Sequence, residues 1–162
     1  MASPKPDLDR LNKLLSYNEK TGALTWAAPR RKCAVGARVG WMLKDGRRRL
    51  RIDGRDYSSA RIIWYLKTGE WLPEVDHKDC DPSRDQWSNL RKCTKQQNLL
   101  NRRTPKHNKL GVKGVQRHQN GYRVRICLNG IVKRALVYDL DEAKSLYQSW
   151  SQELHGEFGR VK

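Results

Sequence analysis

Residues 74–85 read EVDHKDCDPSRD and hold five of the chain's 17 acidic residues around His77, in a chain with 34 Lys and Arg and a formal charge of +17. Carboxylates repel phosphate, so a basic chain that gathers them around an imidazole needs a chemical reason. Phosphodiester hydrolysis supplies one. Water must be deprotonated in line with the phosphorus, charge building on the phosphate must be neutralised, and the leaving oxygen must be stabilised. A neutral histidine suits the first task. A hard divalent ion held by carboxylate and amide oxygens suits the other two, and a further polar group must fix the imidazole ring. Asp76, His77, Asn89 and Asn98 supply those parts. The same residue types also describe a polar loop with a surface histidine, and spacing alone does not make the four converge.

Elements must position them. Leu8, Leu11, Leu14 and Leu15 recur at helical spacing behind Asp7, which predicts a helix over 7–17. A turn over 18–22 leads to a short strand at 23–26, and 29–40 reads as a basic loop. Asp53-Gly54 marks a hairpin with Leu50 and Ile52 on one face and Arg49 and Arg51 on the other. Residues 60–67 read as a helix with Ile62, Ile63 and Leu66 inward, closed by Thr68-Gly69. Val75 is a strand-like entry to His77, and Thr94 with Gln97 forms a capping box for a helix from Lys95 to about Arg103, which carries Asn98.

The last third has a different pattern. Strands are predicted at 112–118, 121–128 and 131–138, with Asn129-Gly130 as a hairpin turn. A helix follows over 139–154 with Ala143, Leu146, Tyr147, Trp150 and Leu154 as its apolar stripe. From Gln86 to Tyr138 there is no acidic residue and there are thirteen Lys or Arg. A solvated surface usually mixes both signs; a long single-sign span is the footprint of a polyanion partner. No run is long and apolar enough for a transmembrane helix, and no basic amphipathic helix with an apolar face suggests a membrane surface. Cys33, Cys80, Cys93 and Cys127 include no C-x-x-C pair and are expected as free thiols.

The stretch VDHKDCDPSRDQWSNLRKCTKQQNLLNR resembles the core of HNH homing endonucleases, in the variant whose third signature residue is Asn. Val75, Asp76, His77, Asp81, Asn89, Leu90, Arg91, Thr94, Gln97, Asn98, Asn101 and Arg102 match without gaps. The resemblance implies a ββα-metal fold, with His77 as general base, Asp76 and Asn98 binding one divalent ion (Mg²⁺, or Mn²⁺ in its place), and Asn89 orienting the His77 loop. The family's Asn-Gly after the histidine is Asp79-Cys80 here, and its Asp-Asn-Arg is Arg84-Asp85-Gln86. The missing glycine is expected to alter the loop, and the missing asparagine to weaken its bracing.

Residues 111–161 are similar to the plant ethylene-response-factor type of DNA-binding domain, through the G-V-x-G-V start, Y-R-V-R-I, the D-x-x-E-A helix start and HGEFGRV. That resemblance implies a three-stranded antiparallel sheet on one helix, with the sheet in the major groove of duplex DNA. Strand alternation places Arg123 and Arg125 on one face and Val124 and Ile126 on the other. Lys113, Gln116, Arg117, Lys133, Arg134, Arg102 and Arg103 complete the expected DNA contacts.

The fold class expected is therefore α+β. A nuclease domain spans 1–104 (core 73–104, with an N-terminal α/β elaboration), a linker 105–110, and a DNA-binding domain 111–162. The expected activity is metal-dependent cleavage of duplex DNA, as a nick from a monomer or from both strands as a dimer on DNA, in the cytoplasm of a host cell. The competing readings are a DNA-binding protein whose nuclease core no longer cuts and, more weakly, an RNA-binding protein.

Overall fold

The computed structural model describes residues 4–30, 33–101, 104, 108–128 and 130–158, with the side chain of Glu157 excepted. The chain divides into two units, Met1–Lys95 and Gln96–Lys162. Helices and antiparallel strands are mixed in both, an α+β architecture.

In the first unit α1 (Leu8–Leu14) starts where the Asp7 side chain accepts from the Arg10 backbone N–H at 2.7 Å. The helix is shorter than expected. Leu15 adopts φ −124° and ψ 143° and opens β1 (Leu15–Asn18), which pairs with β2 (Ala23–Trp26). Leu15 faces the core either way, so helical periodicity could not distinguish the two states. Asn18 Oδ1 accepts from the Lys20 and Thr21 N–H groups and shapes the turn between the strands.

A three-stranded sheet follows. β3 (Trp41–Met42) pairs with β4 (Arg48–Ile52), and β4 with β5 (Arg55–Ser58). The β4–β5 turn is the expected Asp-Gly hairpin, with φ 49° at Asp53 and 76° at Gly54. β3 gave no sequence signal, since two residues are too few for alternation to register. α2 (Ser59–Thr68) buries Ile62 and Ile63 completely and ends on Gly69 in the left-handed region. Each of those isoleucines is worth about 1.5–3 kcal/mol of burial, and cutting either to alanine would cost about 2–5 kcal/mol. They join Leu11, Leu24, Leu50 and Tyr57 in a core that reaches Val75 and Leu90. Those last two residues belong to the site hairpin, so the core fixes its root.

That hairpin is β6 (Val75–His77) and β7 (Leu90–Lys92), antiparallel, with a 3₁₀ turn at Trp87–Asn89 before β7. α3 (Lys95–Leu100) comes next, ending earlier than the expected Arg103; Lys95 closes the first unit and Gln96 opens the second. Arg102 and Arg103 lie outside the described residues.

In the second unit β8 (Val115–His118), β9 (Gly121–Leu128) and β10 (Ile131–Val137) form an antiparallel sheet with β9 central. β8 starts three residues later than expected, because Gly111 and Gly114 both adopt positive φ and bend the chain ahead of it. Asn129 of the expected β9–β10 turn lies outside the described residues, and Gly130 has φ 82°. α4 (Leu140–His155) is capped by Asp139, whose side chain accepts from the Asp141 and Glu142 N–H groups. Ala143 and Tyr147 pack against Val115, Val124, Ile126 and Val137, with Leu146, Trp150 and Leu154 at the edge of this core. All four cysteines are free. No helix among the described residues is long and apolar enough to cross a membrane.

Candidate functional site

The β6–β7 ladder sets Asp76 opposite Arg91 and His77 opposite Leu90. Asp76 is 5% exposed, and its Oδ2 accepts from Arg91 Nε at 2.9 Å and contacts Arg91 Nη2 at 2.8 Å. A buried carboxylate needs such compensation, because removing it from water costs several kcal/mol. Val75, one residue earlier, anchors in the apolar core.

Between the strands the loop is tied to Asn89. Its Oδ1 accepts from the Asp79 N–H at 3.1 Å, and its Nδ2 donates to Asp79 Oδ1 at 2.9 Å and to the Arg84 carbonyl at 2.8 Å. The Lys78 N–H donates to the Asn89 carbonyl. One amide thus clamps the start and the end of the loop. Asp79 is its counterpart. Oδ1 also accepts from the Asp81 N–H, and Oδ2 lies 2.9 Å from Arg84 Nη1. Asp81 in turn accepts from the N–H and hydroxyl of Ser83. The sequence left Asp79 without a role; only the folded loop reveals it as a hub. Cys80 stands at φ 60°, so the loop keeps the left-handed turn that a glycine would make easily.

His77 Nε2 lies 2.8 Å from Asp85 Oδ1, and Asp85 is 3% exposed. The aspartate that stands where the family has an asparagine is in contact with the imidazole, so here its carboxylate braces the ring. The N-terminal hairpin holds Asp85 in place. The Tyr17 hydroxyl donates to the Asp85 carbonyl at 2.7 Å. Gly22, with φ 72°, lets the Asp85 backbone approach so closely that a Cβ there would stand 2.6 Å from the Asp85 carbonyl carbon. Burial, then the Asp85 and Glu19 carboxylates, raises the Tyr17 pKa, so the ring stays a phenol donor. Burial pushes the Cys93 thiol up to about 12, aided by Asp76 and Glu74, which removes it as a thiolate ligand at neutral pH. Arg48 has its pKa lowered by burial and by the nearby Arg38, while Asp85 opposes the shift.

Asn98 lies on α3 in the second unit and Asp76 in the first. Among the described residues no group of three or more His, Cys, Asp or Glu side chains could hold a metal ion. The Asp76 carboxylate is a hard oxygen donor, of the kind that fits an ion such as Mg²⁺ that keeps several waters and takes further ligands from phosphate.

In the second unit the alternation on β9 is as read: Arg123 and Arg125 are exposed, while Val124 and Ile126 are buried. Across the sheet Gln116 and Leu136 flank Arg123, and Arg134 stands opposite Arg125. Like charges directly opposite each other are destabilising, and these strands carry no acid to relieve them. Other expected contacts lie elsewhere. Lys133 is in register with buried Ile126 and pairs with Glu153 of α4, so it sits on the helix side. Arg117 is exposed but in register with Tyr122, which packs toward the helix core. Lys113 donates to the Leu100 carbonyl at 2.7 Å.

Residues 60–100, roughly a quarter of the chain, match the family model described as HNH endonuclease. The match runs from α2 through the site hairpin to the end of α3 and contains Asp76, His77, Asn89 and Asn98. It supports an HNH nuclease, a phosphodiester hydrolase acting on DNA. No curated protein and no solved structure matches the chain.

Proposed function

We propose that the chain is a metal-dependent endonuclease of homing type that cuts duplex DNA, one strand per site. The observation that carries this reading is the β6–β7 hairpin: it carries Asp76 and His77 as consecutive residues of one short strand rooted in the core, with the loop between the strands clamped by Asn89. The His77 imidazole takes a proton from water, and the water oxygen forms a bond to phosphorus. The bond from phosphorus to the leaving oxygen breaks, and that oxygen takes a proton from solvent, leaving one phosphate monoester and one hydroxyl. Asn89 keeps the His77 loop in one geometry, so the ring does not have to be ordered during reaction. Asp76, with Asn98 assigned from its place in the motif, would hold the divalent ion, which when bound neutralises charge on the phosphate and stabilises the leaving oxygen. Arg123, Arg125, Arg134 and Gln116 position the enzyme on the duplex, since phosphate contacts fix location without reading sequence.

The test is nicking of supercoiled plasmid with Mg²⁺ or Mn²⁺. His77→Ala should lower the rate by roughly 10²–10⁴-fold while duplex affinity is kept. Intact plasmid with wild type under every metal would refute the enzyme reading. One observation favours a second reading, a DNA-binding protein that no longer cuts: the Arg91 guanidinium already occupies Asp76 Oδ2. Titration calorimetry with Mn²⁺ separates the two, because only the nuclease reading predicts saturable binding lost in Asp76→Ala.

A further inference from the structure

We propose that Asp85 is the positioning residue of His77, and that it fixes Nδ1 as the nitrogen that takes the proton. The inference rests on the nuclease reading of His77. A carboxylate is an acceptor only, so the 2.8 Å contact between Asp85 Oδ1 and His77 Nε2 requires the hydrogen on Nε2. A neutral ring with hydrogen on Nε2 has its lone pair on Nδ1. When that lone pair accepts a proton from water, the resulting imidazolium lies against the Asp85 carboxylate. Charge formed in the reaction is thus met by a group already in place.

Several features separate this contact from an incidental surface pair. Asp85 is 3% exposed and the His77 side chain 13% exposed, so water competes weakly for the bond. The Asp85 backbone is held from a distant part of the sequence, by the Tyr17 hydroxyl on its carbonyl and by Gly22 packed against its carbonyl carbon. The loop carrying Asp85 is closed at its other end by Asn89 on the neighbouring Arg84 carbonyl. Ring, carboxylate and both supports are therefore joined by continuous contacts. Asn89 and Asp85 have separate tasks: Asn89 holds the loop backbone, and Asp85 holds the ring and its tautomer.

The experiment joins nitrogen NMR of the metal-free full chain, at a pH well above the imidazole range, to steady-state nicking with Mg²⁺. Wild type should show neutral His77 with hydrogen on Nε2. Asp85→Ala should give a mixture of tautomers and lower kcat by roughly 10–100-fold with little change in KM, because the lost group acts on the base and not on DNA. Asp85→Asn, whose carbonyl oxygen still accepts from Nε2, should restore the tautomer and recover much of the lost kcat. Hydrogen on Nδ1 in wild type overturns the proposal. So does Asp85→Ala with unchanged tautomer and kcat. If Asp85→Ala fails to fold, the wild-type tautomer and Asp85→Asn decide. A wild type that never nicks but holds hydrogen on Nε2 refutes the nuclease reading and leaves the Asp85 contact standing.

Discussion

The two units handle charge in opposite ways. In the first, Asp76, Asp85 and Arg91 are buried, each against a defined partner. In the second, the buried polar side chains among the described residues are the uncharged Asn101 and Ser151, and the arginines of β9 stand exposed over an apolar core. A buried charge is costly and therefore strongly oriented, which is what hydrolysis at one phosphorus requires. A surface charge is loosely oriented and screened by salt, which suits attraction to a long polyanion whose phosphates repeat. On the nuclease proposed above, location and chemistry would be separated by the depth at which the chain places its ions.

Breaking the buried side should have the largest effect. Arg91→Ala removes the guanidinium from the buried Asp76 carboxylate and should destabilise the first unit by about 3–5 kcal/mol, read from chemical denaturation. A loss under about 1 kcal/mol would mean that the pair is not buried in solution. The surface side should respond mainly in binding. Arg123→Ala with Arg125→Ala should weaken duplex affinity roughly tenfold or more and flatten the slope of log K against log salt by about 1.8, with a melting midpoint that does not fall, since Arg134 loses the like charge opposite it. An unaltered salt slope would remove these arginines from the interface.

Smaller effects sharpen the contrast. Cys80 at φ 60° carries backbone strain that glycine would not, so Cys80→Gly should stabilise the first unit by about 1 kcal/mol. No gain would mean that the loop does not hold the left-handed turn. In the second unit the backbone N–H of Glu142, with that of Asp141, holds the Asp139 carboxyl below the usual aspartate range. A depressed folded-state pKa contributes stability above the unfolded value, and that contribution is lost as pH falls through the folded value. Acid should therefore loosen α4 in wild type, and Asp139→Asn should flatten this part of the pH profile. Equal slopes in a circular-dichroism titration would contradict the cap.

Much of this was legible from pattern. Period-two alternation sorted Arg123 and Arg125 from Val124 and Ile126, and an Asp-Gly pair located the β4–β5 turn. Both depend on interactions between near neighbours in sequence, which is why a string of residues records them. The motif likewise marked Asp76, His77 and Asn89, which the β6–β7 hairpin and its loop carry together. Lys133 was misplaced because basic composition says nothing about which side of a sheet a side chain takes; its register with Ile126 does. Leu15 was misread because both a helix and a strand would bury it.

By itself, the sequence determined that this is a basic α+β chain with an acidic cluster around His77 and a strongly cationic last third. It could not determine which of the five acids in residues 74–85 does what. That depended on contacts across the fold: Arg91 meeting Asp76 across a ladder, Asn89 closing on Asp79, and Tyr17 and Gly22 holding Asp85 against His77. A carboxylate's task is set by the donors that surround it once water is excluded, and those donors come from segments far apart in the chain.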